Sequence, residues 1–393
     1  ITGFYVMNEL VKQGFSGEIS IIDSKGVYPY NPYPLTKEWM MDKDELEPPF
    51  LAEKAFYADN NIDLRLNTRV TSINPEEQTI TTQLGETIPY DHLVIATGST
   101  LRRLSIPGDD AEGVFYLRDF DDAMKIKQWS RDKENVVIIG SGFIGLELAS
   151  TFSQLGKKVS VVEKFGKPLE RILGEQVSEY FTNMHQAHGV TFILDQAAEK
   201  LNKNADGHIS SVLLENGQTI KADMVLIAVG VVPDSSLDVE GLDRDRGIIV
   251  NEYGETSLAN IYAGGDAAMW PYRDHLIHIE HWETAWSQGV SIARNILNEK
   301  SNIYKINPYF WTDQYDQTFE YLGNTRTWDK TLVRGSLNEK EFAVAYVDSE
   351  SVPLAILFAN KIEKRKDIRN LLNRNQPLDE ERFADMNIAI DEL

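Results

Sequence analysis

A chain of 393 residues is too long for one ordinary hydrophobic core and sets the expectation at two or three domains. Its formal net charge of -22 argues against nucleic acid or an anionic membrane as partner, since both would be repelled. The absence of cysteine excludes a disulfide framework, a zinc–thiolate site and a cysteine nucleophile.

The first stretch, ITGFYVMNELVKQG, puts apolar Phe4, Val6, Met7 and Leu10 at helical spacing and stops at Gly14, and EISIID reads as a short strand ending in Asp23. Gly3 and Asp23 thus form the back half of a dinucleotide-binding βαβ unit, whose first strand and two earlier glycines are not in the chain. The proline- and tyrosine-rich loop PYNPYPLTK follows, then a helical region near 51–60 and strands in DLRLNTRVTSI and QTITTQL. DHLVIATGST carries a buried strand into Ala96, Thr97 and Gly98, and Pro107 and Gly108 mark a boundary.

Residues 135–163, NVVIIGSGFIGLELASTFSQLGKKVSVVE, hold a complete unit: a β-branched strand, a glycine turn, a helix closed by Gly156 and a second strand ending in an acid. Gly140 permits the turn, Gly142 lets backbone N–H groups approach phosphate, and Gly145 lets helix and strand pack closely. Glu163 stands where a carboxylate can hold a ribose, and it would repel a 2′-phosphate. Lys164 beside it complicates that preference.

Strands VTFIL, ISSVLLENG and DMVLIAVG come next, the last closing on Gly230 before VVPD turns the chain back. NIYAGGDAA runs an apolar strand into Gly264, Gly265 and Asp266, and HIEHWETAWSQGVSIARNIL reads as one helix. From about Asn307 aromatic strands take over, FWTDQYDQTFEYLG and EFAVAYVDSESVPLAILFA, before a charged helical end. His185 and His188 sit at helical spacing with no acid or thiol to complete a metal site, so they read as a surface helix and no metal is expected. No apolar run reaches the roughly 18–20 residues of a bilayer span, and no signal-peptide core opens the chain, which gives a cytoplasmic expectation.

In this order, PYNPYPLTK, ATGS, GSGFIGLE, GVVPD, IYAGGDAA, IEHWETAWSQG and FWTDQYD make the chain from Ile1 to about Asn360 resemble the FAD-dependent ferredoxin reductase branch of the pyridine nucleotide-disulfide oxidoreductases. It is also similar to the apoptosis-inducing factors. The resemblance implies an α/β fold with two Rossmann-like, glutathione-reductase-like domains binding FAD and NAD, plus a C-terminal α+β domain with an antiparallel sheet. Residues 1–107 and 233–303 would form the FAD domain, 108–232 the NAD domain and 304–393 the C-terminal domain. The implied activity is electron transfer from NADH through FAD to an acidic carrier such as a ferredoxin or rubredoxin, because the disulfide-reducing branch needs cysteine. The alternative is a slow redox-sensing flavoprotein like apoptosis-inducing factor that acts through partner binding. A homodimer is left open.

The same resemblance assigns residues. Gly3 matches the third fingerprint glycine and Asp23 the acid on the FAD ribose, while Ala96, Thr97 and Gly98 belong to a motif crossing under FAD. Lys37 matches a lysine beside flavin N5 and Glu147 its ion-pair partner, placing positive charge near N5. Gly140, Gly142, Phe143, Ile144, Gly145, Glu163 and Gly230 fall to the NAD site, and Gly265 and Asp266 to the FAD ribityl and pyrophosphate region. Glu280 and His281 match positions near nicotinamide and flavin, and Trp282 and Trp311 aromatics at the isoalloxazine edge. Taken singly, Lys37 reads as a solvated charge, Asp266 as a helix N-cap, His281 as a packed core histidine and the tryptophans as core. Two positions depart from the pattern: Pro32, beside Tyr33, and His278 stand where the relatives carry arginine. In the tail, Lys361, Lys364, Arg365, Lys366, Arg369 and Arg374 form one dense basic segment, either a solvated helix face or a docking patch for the acidic carrier.

Overall fold

The computed structural model describes residues 1–234, 236–237, 239–360 and 363–393, which group into two compact units. One comprises Ile1–Asn31, Pro48–Thr100 and Val231–Pro308, the other Pro32–Glu47, Leu101–Gly230 and Tyr309–Leu393.

In the first unit the helix Thr2–Lys12 buries Phe4, Val6, Met7 and Leu10 and is followed by Gly14 at φ +74, as its apolar spacing requires. It lies against the helix Trp282–Leu297, where Thr2 Oγ1 donates to the Ala285 carbonyl at 3.0 Å. Beneath them are two parallel ribbons, Ile19–Ile22 with Ile62–Arg65 and Ile261–Ala263 with Leu93–Ile95. Val6, Leu10, Tyr262, Ile292 and Ala293 close a small core between helices and strands. The long helix begins later than its sequence suggests. His275–His278 pairs antiparallel with Ala268–Tyr272, because alternation in HLIH buries Ile277 against that neighbour.

The second unit contains a five-stranded parallel sheet in the order Thr191–Ile193, Lys158–Val162, Asn135–Ile139, Met224–Ile227, Val114–Tyr116. Val136, Val137, Ile138, Met224, Val225 and Leu226 are almost wholly buried, the continuous apolar pattern of a strand covered on both faces. The tail adds a five-stranded antiparallel sheet ordered Tyr309–Gln314, Gln317–Gly323, Pro353–Ala359, Phe342–Val347, Lys330–Gly335. The charged end divides into two helices, Arg365–Arg374 and Glu380–Ala384. Buried Arg334 fastens the last turns of chain, donating to the carbonyls of Phe383, Asp385 and Ile388.

Residues 32–47 cluster with the second unit, whereas the sequence grouped them with the block containing Asp266. The cause is polar anchoring. Buried Lys127 donates to the carbonyls of Trp39 (2.7 Å) and Glu45 (2.6 Å) and stands 3.9 Å over the Trp39 ring. Thr151 Oγ1 donates to the Thr36 carbonyl at 2.6 Å. Among the described residues no helix is long and apolar enough to cross a membrane.

Candidate functional site

The expected site residues fall into two constellations, one in each unit. In the second unit, Lys37 leaves the short turn Tyr33–Thr36 buried, with Nζ 3.2 Å from Glu147 Oε1 and 3.1 Å from Asp313 Oδ2. Glu147 projects from the helix Phe143–Gln154 and also accepts from Thr36 Oγ1 (2.6 Å) and Thr312 Oγ1 (2.7 Å). Burial opposes the Lys37 ammonium, but Glu147 and Asp313 outweigh it and raise the lysine's pKa above its usual value. For Glu147, burial dominates over Lys37 and the threonine donors and raises the carboxyl above its ordinary range. The Lys37 ammonium also lies 5.7 Å over Trp311, whose ring meets Tyr33 edge-on at 5.3 Å and stacks near Tyr309 at 6.0 Å.

Asp313 is the residue that motif matching missed. In a strand, side chains alternate, so Trp311 and Asp313 share one face of Tyr309–Gln314 while Thr312 and Gln314 share the other. That period of two was the available signal.

The glycine turn of the second unit has the shape its residues require. A Cβ on Gly140, at φ +104, would come 2.4 Å from the Ala228 carbonyl oxygen, and one on Gly145 would come 2.3 Å from that of Gly140. Gly142 faces open space at the head of the helix, beside half-exposed Phe143 and exposed Ile144. Glu163 accepts from Ser141 N (2.9 Å), Ser141 Oγ (2.7 Å) and Phe165 N (2.9 Å), so its carboxylate is tied to the turn itself. Gly230 takes φ +94 with no atom in the space a Cβ would claim. These features fit a dinucleotide whose phosphates meet the turn and whose ribose meets Glu163.

In the first unit Gly3 faces Ala96, whose Cβ lies 3.7 Å from where a glycine Cβ would stand. Ala96 and Thr97 are exposed. Asp266 lies in the turn Gly265–Ala267, accepts from Ser99 Oγ at 2.7 Å and is not the N-cap, a place held by Gly264. Gly265, at φ +67, is pressed so closely to the first helix that a Cβ would come 2.4 Å from Thr2 Oγ1. His278 Nε2 donates to the Asp266 carbonyl at 2.7 Å, and its Nδ1 faces Glu280 Oε1 at 3.6 Å. Burial pushes His281 down to about 4 against the opposing charge of Asp266. Trp282 opens the long helix and packs edge-on to Tyr5 at 6.0 Å. Asp23 ends its strand with Oδ1 accepting from Lys25 N at 2.8 Å. Neither Thr2–Lys12 nor Trp282–Leu297 has a side-chain cap, and Thr284 Oγ1 is buried with no hydrogen-bond partner among the described residues. Helix N-terminal dipoles and an unspent buried hydroxyl fit an anionic dinucleotide such as FAD.

Two expectations are corrected. His185 is fully buried and its pKa is pushed down to about 4 by burial, so its helix face is not a surface one. The basic segment is not uniformly free: Arg365 pairs with Glu320 at 2.8 Å and lies 3.7 Å over Tyr309, and Arg374 donates to the carbonyls of Leu393 and Asp391. Lys364 and Lys366 are exposed, and Lys361 lies outside the described residues.

A family profile described as pyridine nucleotide-disulphide oxidoreductase matches residues 1–289, and one described as reductase C-terminal matches 309–393. Rhodocoxin reductase of Rhodococcus erythropolis is 32% identical over 386 residues, covering 98% of this chain and 90% of its own length. The crystal structure of the covalent putidaredoxin reductase–putidaredoxin complex is similar at a TM-score of 0.93 and 30% identity, over 100% of this chain and 95% of that one. Apoptosis-inducing factor 3 of Mus musculus is 28% identical over 356 residues, 89% of this chain and 58% of its own length.

Proposed function

The chain belongs to the pyridine nucleotide-disulphide oxidoreductases, and from that premise we propose that it passes electrons from NADH through FAD to an acidic carrier, a ferredoxin or rubredoxin. It has the two-Rossmann, glutathione-reductase-like fold with a C-terminal antiparallel-sheet domain, and it is an oxidoreductase of ferredoxin-reductase type in a family that binds FAD and uses NAD(P)H. The observation that carries the finer reading is the buried Lys37–Glu147 pair, an ammonium held in a cysteine-free chain where no thiol chemistry competes. The complex of the similar putidaredoxin reductase with putidaredoxin supports an iron–sulfur carrier. In this reading residues 1–107 and 233–303 serve FAD, 108–232 serve NADH, 304–393 form the C-terminal domain, and the enzyme works in the cytoplasm.

FAD, when bound, supplies the conversion from two-electron to one-electron transfer. The chain's residues do the rest. The turn 140–145 and Glu163 hold and orient the nucleotide, and Asp266, Ser99, Gly3 and Thr284 would hold FAD. Lys37 offers a directed N–H whose position Glu147 and Asp313 fix, with Trp311 beside it.

Steady-state kinetics with added FAD test this. Rapid oxidation of NADH that depends on ferredoxin or rubredoxin, with NADPH poorer, is the expected result. Equal or better use of NADPH would make Lys164, and not Glu163, the reader of the ribose. Tight NADH binding with negligible turnover would favour the slow redox sensor, a reading drawn from the similarity to apoptosis-inducing factor 3.

A further inference from the structure

His185, which neither a metal nor the proposed reaction accounts for, stands in a buried chain of hydrogen bonds that ends on Glu147. Thr312 Oγ1 donates to Glu147 Oε1 at 2.7 Å, and Gln314 Nε2 donates to Thr312 Oγ1 at 3.0 Å. Gln314 Oε1 lies 2.8 Å from His185 Nε2, and His185 Nδ1 lies 3.0 Å from the Tyr315 hydroxyl. Thr312, Gln314 and His185 are each no more than 1% exposed, so water replaces no link.

Donor and acceptor chemistry leaves this chain one direction. The Glu147 carboxyl accepts from the Lys37 ammonium and from the Thr36 and Thr312 hydroxyls, so Thr312 spends its single proton on Glu147 and must accept from its other neighbour. The amide nitrogen of Gln314 therefore faces Thr312 and its oxygen faces His185, which must carry its proton on Nε2. Burial pushes the His185 pKa down to about 4, so at pH 7 the ring is neutral, Nδ1 is bare and Tyr315 donates to it. Burial likewise pushes the Tyr315 hydroxyl up to about 12, which keeps that donor protonated. Every dipole in the chain points at Glu147. An amide does not pass a proton onward at ordinary energies, so this is a string of fixed dipoles and not a proton wire.

The far end is firmly held. Tyr315 sits at φ +58, in the left-handed region, where a bulky residue is strained. Its amide donates to Ser150 Oγ at 2.8 Å and its ring stacks on His188 at 3.6 Å and 11°. The charged or titratable groups bordering the chain are Lys37 and Asp313 at one end and His188, Asp316 and Lys340 at the other.

We propose that His185, with Tyr315, Gln314 and Thr312, is a positioning residue for the Lys37–Glu147 pair, pinning the carboxylate where the ammonium meets it. Donors aligned in a low-dielectric interior strengthen one another and favour the charged carboxylate. The proposal rests on the oxidoreductase reading only for its consequence, because the chain itself is testable without flavin. Selective 15N-histidine NMR of the unmodified protein at pH 7 is expected to show His185 as the neutral Nε2–H tautomer. An Nδ1–H tautomer or an imidazolium would overturn it. With 13C-labelled glutamate carboxyls, Gln314→Met and His185→Phe should raise the Glu147 midpoint by about half a unit to one unit, and Thr312→Val by more. A shift in Thr312→Val with none in Gln314→Met would end the chain at Thr312 and defeat the proposal. Reduction of bound FAD by NADH should slow on the order of tenfold in Gln314→Met. Midpoints that move while that rate stays constant leave the chain standing and remove the pair from flavin chemistry. If the variants fail to fold, the tautomer alone decides.

Discussion

Replacing Lys37 with methionine leaves a chain of similar length and removes the ammonium, so the test falls on Glu147. That carboxylate keeps its donors Thr36 and Thr312 but loses the only cation within ion-pair distance among the described residues. Stranding one member of a buried pair costs about 3–5 kcal/mol. Asp313, with a side chain 43% exposed, is also freed, but water screens it and its share is small. A unit of this size shifts by roughly 2–4 °C per kcal/mol, which puts the expected fall in melting midpoint at about 6–20 °C. The sign of the pH dependence is fixed. Burial already holds the folded Glu147 pKa above its unfolded value, and loss of Lys37 raises it further. A raised folded pKa stabilises the fold while the carboxyl is protonated and loses that contribution as pH rises through the folded value. The deficit of Lys37→Met relative to the parent should therefore be larger at pH 8 than at pH 5, as read by thermal melts. It should largely disappear in Lys37→Met/Glu147→Gln. An equal deficit at both pH values, surviving in the double variant, would refute the claim that a stranded buried charge is responsible.

Two further outcomes are expected. His185 titrates at about 4 when folded and near 6.5 when unfolded, so its contribution is complete above about pH 6.5 and is lost as pH falls toward 4, about 3 kcal/mol in all. Melting midpoints should fall across that window and the slope should flatten in His185→Phe; an unchanged slope contradicts the burial argument. In the tail, Lys364→Glu/Lys366→Glu should slow association with an acidic carrier, most at low salt, while NADH-driven ferricyanide reduction is unchanged. Arg365 stays intact there because it holds Glu320, and a fall in both activities would place the carrier elsewhere.

Features governed by neighbours in sequence were legible. The turn at Gly140 was readable because only glycine takes φ +104 against a carbonyl 2.4 Å from a Cβ, and the helix Thr2–Lys12 because its apolar spacing and Gly14 agree. The strand at His275–His278 was not, since four residues of HLIH alternate too briefly to be separated from the helix beyond them. Contacts between distant segments left the weakest trace. Glu147 meets Thr312 across 165 residues, and Gln314 meets His185 across 129, so His185 looked like a surface residue until the strand Tyr309–Gln314 was laid on its helix.

The same long-range packing changes what Lys37 can be doing. Read from the motif, a lysine and one glutamate suggested a net-neutral pair presenting positive charge. With Asp313 at 3.1 Å and Glu147 at 3.2 Å, one ammonium faces two carboxylates, and the cluster is negative as long as both are ionised. A site built to supply positive charge would not add a second anion at ion-pair distance. Two opposed anchors do serve to hold an ammonium in one place, since a lysine on a single partner keeps much of its rotamer freedom. The arrangement therefore favours a directed N–H over a general electrostatic field as Lys37's contribution. It also explains why Glu147 is backed by a chain of oriented donors: a carboxylate that shares its cation with Asp313 needs other hydrogen bonds to remain charged in a buried place.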